Sequence, residues 1–134
     1  PYPLAPDTQF SVYGVALEAG AEGSFHMRRM RHPLAGADSL EQLQSYPWPE
    51  WDVDDISAMG TAAEKGRQQG YPVVAGMTST IWECAWSIRD MAVLMADMAD
   101  ADPKASFILD KITGISIARA EAYARAGADV VYHI

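Results

Sequence analysis

The sequence predicts an α/β fold in which a β-hairpin precedes a βαβ unit. Two strand-like arms within residues 9–32 flank a glycine-bearing connection, which is typical of a hairpin. Further along, the short apolar run 71–75 is followed by two helical patterns and by a second apolar run, 128–134. A strand, a helix, a long helix and a strand in this order form a crossover connection, which implies parallel strands.

Length and composition describe an acidic globular chain. The 134 residues, 49% of them hydrophobic, suffice for one domain with a core. The net charge of −8 disfavours nucleic acid as a partner, because phosphate binding needs a basic face. The sequence has one cysteine, Cys84, and no apolar run near the roughly 20 residues of a membrane span. We therefore expect a cytoplasmic protein without a membrane or nucleic-acid partner.

The sequence predicts a single partial domain with three parts. Residues 9–32 form the hairpin, residues 38–70 form helices, and residues 71–134 form the strand, helix, long helix and strand. The chain begins at Pro1 without an initiator methionine and stops at Ile134 inside an apolar run. Because a domain rarely ends in the middle of a strand, we expect a fragment of a longer chain.

The arms of the predicted hairpin are Gln9–Glu18 and Ser24–His32. The second arm concentrates basic side chains: His26, Arg28, Arg29, Arg31 and His32. Such a cluster is consistent with an anion or partner site. Charge also protects an exposed edge strand from pairing with other chains, and we favour this interpretation.

Two helices are predicted between the hairpin and the crossover. Asp38 or Ser39 caps the first, and two prolines within residues 46–49 end it. Trp48 and Trp51 are expected to act as packing anchors.

The second of these helices begins at three aspartates and ends at Gly70. The aspartates, which complement the positive end of the helix dipole, are Asp52, Asp54 and Asp55. A metal site is the alternative, but no second ligand cluster supports it, so we predict none.

In the crossover, four apolar residues recur at a helical period and are predicted to pack in the core: Ile88, Met91, Met95 and Met98. Asp102 and Pro103 start the long helix, which runs to Ala126 with Gly127 as its stop. Its inner face is predicted from the same period: Phe107, Ile108, Ile112, Ile115, Ala118 and Ala122. Residues 128–134 are predicted to form a buried strand.

The segment after the first crossover strand gathers candidate site residues. Trp82 and Trp86 share a face if this segment is helical, because they lie four residues apart. Glu83 lies beside them, and in a partly apolar pocket it would hold its proton firmly, which suits a general acid. Arg89 could stack on Trp86. Alternatively, both tryptophans are core residues and Glu83 binds a backbone N–H; the residues alone leave both interpretations open.

Cys84 is a weaker candidate for chemistry. A nucleophilic thiol needs a base, and the three histidines, at positions 26, 32 and 133, lie far away along the chain. A buried, inert thiol is the favoured interpretation.

Four stretches follow one another in an order typical of one enzyme family. They are His32-Pro33-Leu34-Ala35, Tyr46-Pro47-Trp48-Pro49, Trp82-Glu83 with Trp86-Ser87-Ile88-Arg89, and Asp102-Pro103 with the helix to Gly127-Ala128-Asp129. Together they cover nearly all of residues 10–134 and resemble the uroporphyrinogen decarboxylase superfamily, which includes corrinoid-dependent methyltransferases. Because that family has a TIM (β/α)8 barrel fold, the resemblance implies that this chain is about the middle third of a barrel.

Departures from the family pattern distinguish its branches. Members usually read Leu-Arg-Gly with a glutamate two positions later, where this chain has Ile88-Arg89-Asp90 and Ala92. True decarboxylases carry a tyrosine where Cys84 stands, and their arginine-rich N-terminal loop has no counterpart here. The resemblance therefore implies the methyltransferase-like branch.

In that branch, the complete protein would transfer methyl groups between a small-molecule substrate and a corrinoid or similar carrier. The implied pocket residues are Met77, Thr80, Trp82, Glu83 and Trp86, with Glu83 catalytic and with Arg89 orienting Glu83 or an anionic substrate group. The zinc ligands of the branch would lie beyond Ile134. Zinc and a corrinoid are therefore implied for the complete protein, and no cofactor is expected on this chain.

Two alternatives stay open. The first is decarboxylation of uroporphyrinogen in porphyrin biosynthesis, a lyase reaction. The second is a non-catalytic chain that self-assembles, because a lone βαβ unit leaves strand edges and apolar helix faces uncovered. We expect a homodimer, formed for instance by exchange of elements between two copies, and we expect this chain alone to be inactive.

Overall fold

The structure is a computed structural model that describes residues 3–20, 28–50, 56–77, 79 and 81–133. The fold is mixed α/β, as predicted, and the described strands do not form a closed barrel. The strands are β1 (Gln9–Phe10), β2 (Ala16–Glu18), β3 (Arg29–Arg31), β4 (Val74–Met77) and β5 (Val130–His133). The helices are α1 (Leu40–Gln44), α2 (Ser57–Gln68), α3 (Ile81–Arg89), α4 (Met91–Ala99) and α5 (Pro103–Arg125).

The chain divides into two compact units. The first consists of Pro1–Pro49 with Cys84–Ile108, and the second of Glu50–Glu83 with Leu109–Ile134. Helices α3 and α5 each contribute one end to each unit. The single partial domain stays a prediction. Within the described ranges, no helix is both long enough and apolar enough to cross a membrane.

A three-stranded antiparallel sheet, in the order β1-β2-β3, opens the first unit. The predicted hairpin is confirmed for β2 and β3, although residues 21–27 of its connection and second arm, which include His26, lie outside the described residues. The predicted first arm is not one strand. It turns at Ser11–Val15, where the Ser11 N–H donates to the Val15 carbonyl at 2.9 Å and Gly14 takes a φ of 74°. Glycine adopts such a φ without steric cost.

Helix α1 begins at a predicted cap. The Ser39 hydroxyl accepts from the Gln42 N–H at 3.3 Å, and the Gln42 side chain accepts from the Ser39 N–H at 3.4 Å. This reciprocal pair is a capping box, with Gln42 at the third helical position, where such boxes carry Glu or Gln. Leu43 then points into the core and is fully buried.

The proline-bearing connector after α1 packs through aromatic rings. The Tyr46 hydroxyl donates to the Tyr13 carbonyl at 2.7 Å, and burial raises the pKa of Tyr46. The ring of Trp48 contacts Tyr46 and Phe107 edge to face. The packing role predicted for Trp48 is confirmed, whereas Trp51 lies outside the described residues.

Helix α2 belongs to the second unit. The three aspartates predicted to begin it fall within residues 51–55, which the structure does not describe. The described N-cap position, Ile56, makes no side-chain capping bond. Gly70 follows the helix with a φ of 77°, as predicted for a C-terminal stop.

The crossover pairs β4 and β5 in parallel, as predicted, from Val74↔Val130 to Met77↔His133. Strand β4 lies slightly later than the predicted run 71–75. The expected burial of β5 is wrong, since all four of its residues are exposed. An apolar strand is buried only where other layers cover its faces, and a two-stranded sheet provides little cover.

One aromatic ring lies across the backbone of β4. Tyr132 is the register partner of Gly76. A Cβ atom on Gly76 would stand 2.8 Å from the Tyr132 hydroxyl and 2.9 Å from the ring carbon that bears it. The ring takes this place because glycine leaves it open.

The methionine-rich segment is two helices rather than one. Asp90 has a φ of 76°, and its Oδ1 accepts from the Ala92 N–H at 2.8 Å and the Val93 N–H at 3.2 Å. The aspartate therefore ends α3 and caps α4. The helical period counted from Ile88 does not continue into α4.

The core packing predicted for the methionines is consequently wrong. Ile88 is fully buried, but Met91, Met95 and Met98 are 43%, 56% and 48% exposed. Because α4 is a separate helix that begins after Asp90, its inward face differs from the predicted one, and Leu94 is its fully buried residue.

The long helix α5 follows the prediction closely. Asp102 caps it by accepting from the Lys104 N–H at 2.9 Å, and Gly127 follows its end with a φ of 91°. Three residues of the predicted inner face are fully buried, namely Ile108, Ile112 and Ala122, and the other three are half-buried.

A partly buried ion pair makes the stability of the chain depend on pH. Glu18 is 7% exposed, and the Arg31 Nε donates to its carboxylate at 2.9 Å. The hydrogen bond from Arg31 holds the pKa of Glu18 below its usual 4.5, although burial opposes the shift. Because the folded pKa is depressed, this contribution is complete above pH 4.5 and is lost as the pH falls through the folded pKa.

We therefore expect Glu18→Gln to flatten the decline of stability below pH 4.5, measured as the midpoint of urea unfolding at several pH values. Part of the decline should remain, because Lys104 lowers the pKa of Asp102 in the same way. Glu41→Gln, at an exposed position on α1, is the control. A decline as steep in Glu18→Gln as in the control would contradict the assignment.

Candidate functional site

The predicted site segment runs from the end of β4 into α3, and its residues up to Glu83 belong to the second unit. Strand β4 ends at Met77, which is 5% exposed, and α3 begins at Ile81. Between them, Ser79 takes a φ of 73°. Thr80 lies outside the described residues.

Trp82 and Glu83 occupy the first turn of α3, and both are exposed. The apolar pocket expected around Glu83 is therefore absent from the described part of this unit. A carboxylate in the first turn of a helix complements the positive end of the helix dipole.

The structure adds a residue that the sequence did not indicate. His133 is the register partner of Met77, so the two residues end their parallel strands at the same edge. His133 is exposed. Active sites of α/β proteins lie at the carboxyl ends of parallel strands, and Met77, Trp82, Glu83 and His133 all belong to the second unit.

Trp86 and Arg89 belong to the first unit. Trp86 is half-buried, and its ring centroid lies 6.4 Å from that of His32. Arg89 is 3% exposed, and four of its N–H groups are engaged. Two donate to the Asp97 carboxylate, at 2.8 and 3.4 Å, and two donate from Nη1 to the carbonyls of Leu34 and Ala37, at 2.5 and 2.8 Å. These contacts account for Arg89 without a substrate.

The segment that begins at His32 binds the carboxyl end of α3. His32 Nδ1 lies 2.8 Å from the Ser87 carbonyl, and the Leu34 N–H donates to the Ile88 carbonyl at 3.0 Å. Both bonds satisfy carbonyl groups that a helix end leaves without intrahelical partners. The imidazole Nε2 lies 3.6 Å from Asp90 Oδ2. Two of the stretches that carry the family resemblance therefore contact each other.

Cys84 is buried, at 8% exposure, which confirms the predicted burial of the thiol. His32, judged remote from it in sequence, contacts the same helix through Ser87. Sequence separation concealed the contact between His32 and Ser87, and only the fold could reveal it.

A groove of about 290 Å³ lies in the second unit. It is lined by residues of α2, of β4 and of the end of α5 with the segment that follows it, mainly small apolar side chains such as Ala62, Ala63 and Ala126. None of the predicted site residues lines it. Across the described ranges, no group of three or more His, Cys, Asp or Glu side chains could hold a metal ion.

The chain matches no protein-family model, no curated protein and no solved structure.

Breaking the Arg89–Asp97 pair should strongly destabilise the chain. Arg89→Met leaves the Asp97 carboxylate, only 11% exposed, without its partner, and such a loss costs about 3–5 kcal/mol. The measurement is the free energy of unfolding from urea titration. Arg28→Met, which removes an exposed guanidinium bonded to Gln9, should cost less than about 1 kcal/mol. Equal losses of unfolding free energy in the two variants would show that the buried contacts of Arg89 contribute little to stability.

Proposed function

We propose that this chain forms part of a TIM-barrel enzyme of the uroporphyrinogen decarboxylase type, and that it belongs to the methyltransferase-like branch. The observation that supports this most is the parallel β4–β5 pair, with Met77 and His133 ending at one edge and the exposed Trp82–Glu83 turn following β4. TIM-barrel enzymes build their sites from such βα turns. Contacts between resemblance-bearing stretches, His32 with Ser87 and Trp48 with Phe107, add support.

In the proposed reaction, a methyl group moves from the carrier to a nucleophilic acceptor. The acceptor must lose its proton as the new bond forms, and the Glu83 carboxylate receives that proton. Trp82 offers an exposed indole surface against which the substrate packs. Arg89 is left out of the proposed site because its guanidinium is engaged within the first unit. A corrinoid would supply the transferable methyl group, and no step depends on zinc held by the described residues.

The test uses the complete protein that contains this chain, with a methylated corrinoid and a thiol acceptor, and follows the methyl thioether by mass spectrometry. Glu83→Gln should lower kcat/KM about 100-fold, the low end of general-base contributions. Trp82→Ala should mainly raise KM, because it removes substrate contact. Glu121→Gln, an exposed carboxylate on α5, is the matched control and should retain full activity.

Two outcomes would contradict this proposal. No methyl transfer by the complete protein, together with release of CO₂ from uroporphyrinogen, would establish the decarboxylase alternative. Equal rates for Glu83→Gln and Glu121→Gln would remove Glu83 from the site.

A second candidate function is self-assembly, which the exposed two-stranded sheet favours. Val74, Val130, Val131 and Tyr132 are 38–53% exposed, and among the described strands β4 and β5 pair only with each other. Open strand edges with apolar side chains are templates for pairing with another chain. A barrel would cover both edges, so this candidate competes with the enzyme proposal.

If self-assembly is correct, sedimentation of the 134-residue chain at micromolar concentration should show a dimer. Val131→Lys should yield a monomer, because a charge on the strand opposes edge pairing. Val12→Lys, which makes the same change at a 73% exposed position in the first unit, should remain dimeric. A folded wild-type monomer would exclude the dimer.

A further inference from the structure

Helix α4 presents an uncharged apolar face that the described part of its unit does not cover. Only Leu94 is buried, and six residues are exposed: Met91, Ala92, Met95, Ala96, Met98 and Ala99. The single charged residue of the helix, Asp97, turns inward to Arg89. A helix that is apolar on its outward face as well as its inward face normally packs against something on both.

The exposed methionines are spaced for contact with another helix. Met91, Met95 and Met98 stand at positions i, i+4 and i+7, and the three alanines repeat the same spacing one residue later. The methionine stripe is roughly 10 Å long at 1.5 Å per residue. Methionine adapts its shape to a partner, and residues at this spacing form one ridge along which a second helix can pack.

The charge around this face is asymmetric. At the amino end, the Asp90 carboxylate is engaged by two backbone N–H groups and faces His32. At the carboxyl end, Asp100 is exposed, and the last turn of α4 has no basic residue. The helix dipole adds negative potential at this same end. Asp102, two residues on, already has Lys104 as its ion partner at 2.6 Å.

We propose that the exposed face of α4 docks a basic amphipathic helix of a partner protein. Its apolar residues would pack on the methionine stripe, and a lysine or arginine would lie at Asp100. A second copy of this chain fits less well. Parallel pairing places Asp100 against Asp100, antiparallel pairing places it near Asp90, and each copy carries a net charge of −8.

The test titrates the whole chain into a fluorescent helical peptide that has leucines at i, i+4 and i+7 and lysines at one end. Anisotropy should report saturable binding that weakens with added salt. Met95→Glu should lower the affinity at least about tenfold, because it places a charge in the centre of the contact. Asp100→Asn should lower it about two- to fivefold and reduce the salt dependence.

Controls separate docking from folding and from non-specific adhesion. Met30→Glu, at a 36% exposed position on β3, should leave the affinity unchanged. Met95→Gln, a milder change, should weaken binding while circular dichroism shows an unchanged fold. A wild-type chain that does not bind the peptide, or that binds a glutamate version equally well, would overturn the proposal. A wild-type dimer that Met95→Glu dissociates would assign the face to a second copy instead.

Discussion

A buried guanidinium constrains most of the first unit. Burying the Arg89 cation is unfavourable unless its donors find acceptors, so its surroundings must supply them. Asp97 comes from α4, and the carbonyls of Leu34 and Ala37 come from the segment before α1. For these three groups to converge, the chain must break after Arg89, and Asp90 provides the break by adopting a positive φ and capping α4. One ion thus ties three segments together.

Local chemistry made several element boundaries predictable. The capping side chain of Ser39, the Asp102-Pro103 pair and the terminal Gly127 act within a few residues of their position, so the sequence contains the whole signal. Burial is a different kind of property. The methionines of α4 and the strand β5 have core-like composition, yet they are exposed, because burial depends on what lies opposite. The periodicity of apolar residues identifies an apolar face, but it does not tell whether another element packs against that face.

Some features of the candidate site could likewise be predicted from the sequence, and others could not. The location of Trp82 and Glu83 after a strand could be predicted from the order of apolar and polar segments, and the structure places them there. The setting of Arg89 could not, because the two carbonyls it binds lie 55 and 52 residues away. The place of His133 at this edge could not be predicted for a related reason. Its position beside Met77 follows from strand register, which no local pattern encodes.

The glycine beneath Tyr132 affects how strands β4 and β5 align when they pair. Strand pairing in the first unit joins residues close in sequence, such as Gln9 and Leu17, whereas β4 and β5 pair across 56 residues. Closing a long loop costs entropy before any contact compensates for it, so this pair assembles late. A slip of one residue would place Ala75 or Met77 beside Tyr132, where a Cβ atom would have to displace the aromatic ring. Gly76 therefore favours the observed alignment, because only there does the Tyr132 ring lie over a residue without a Cβ atom.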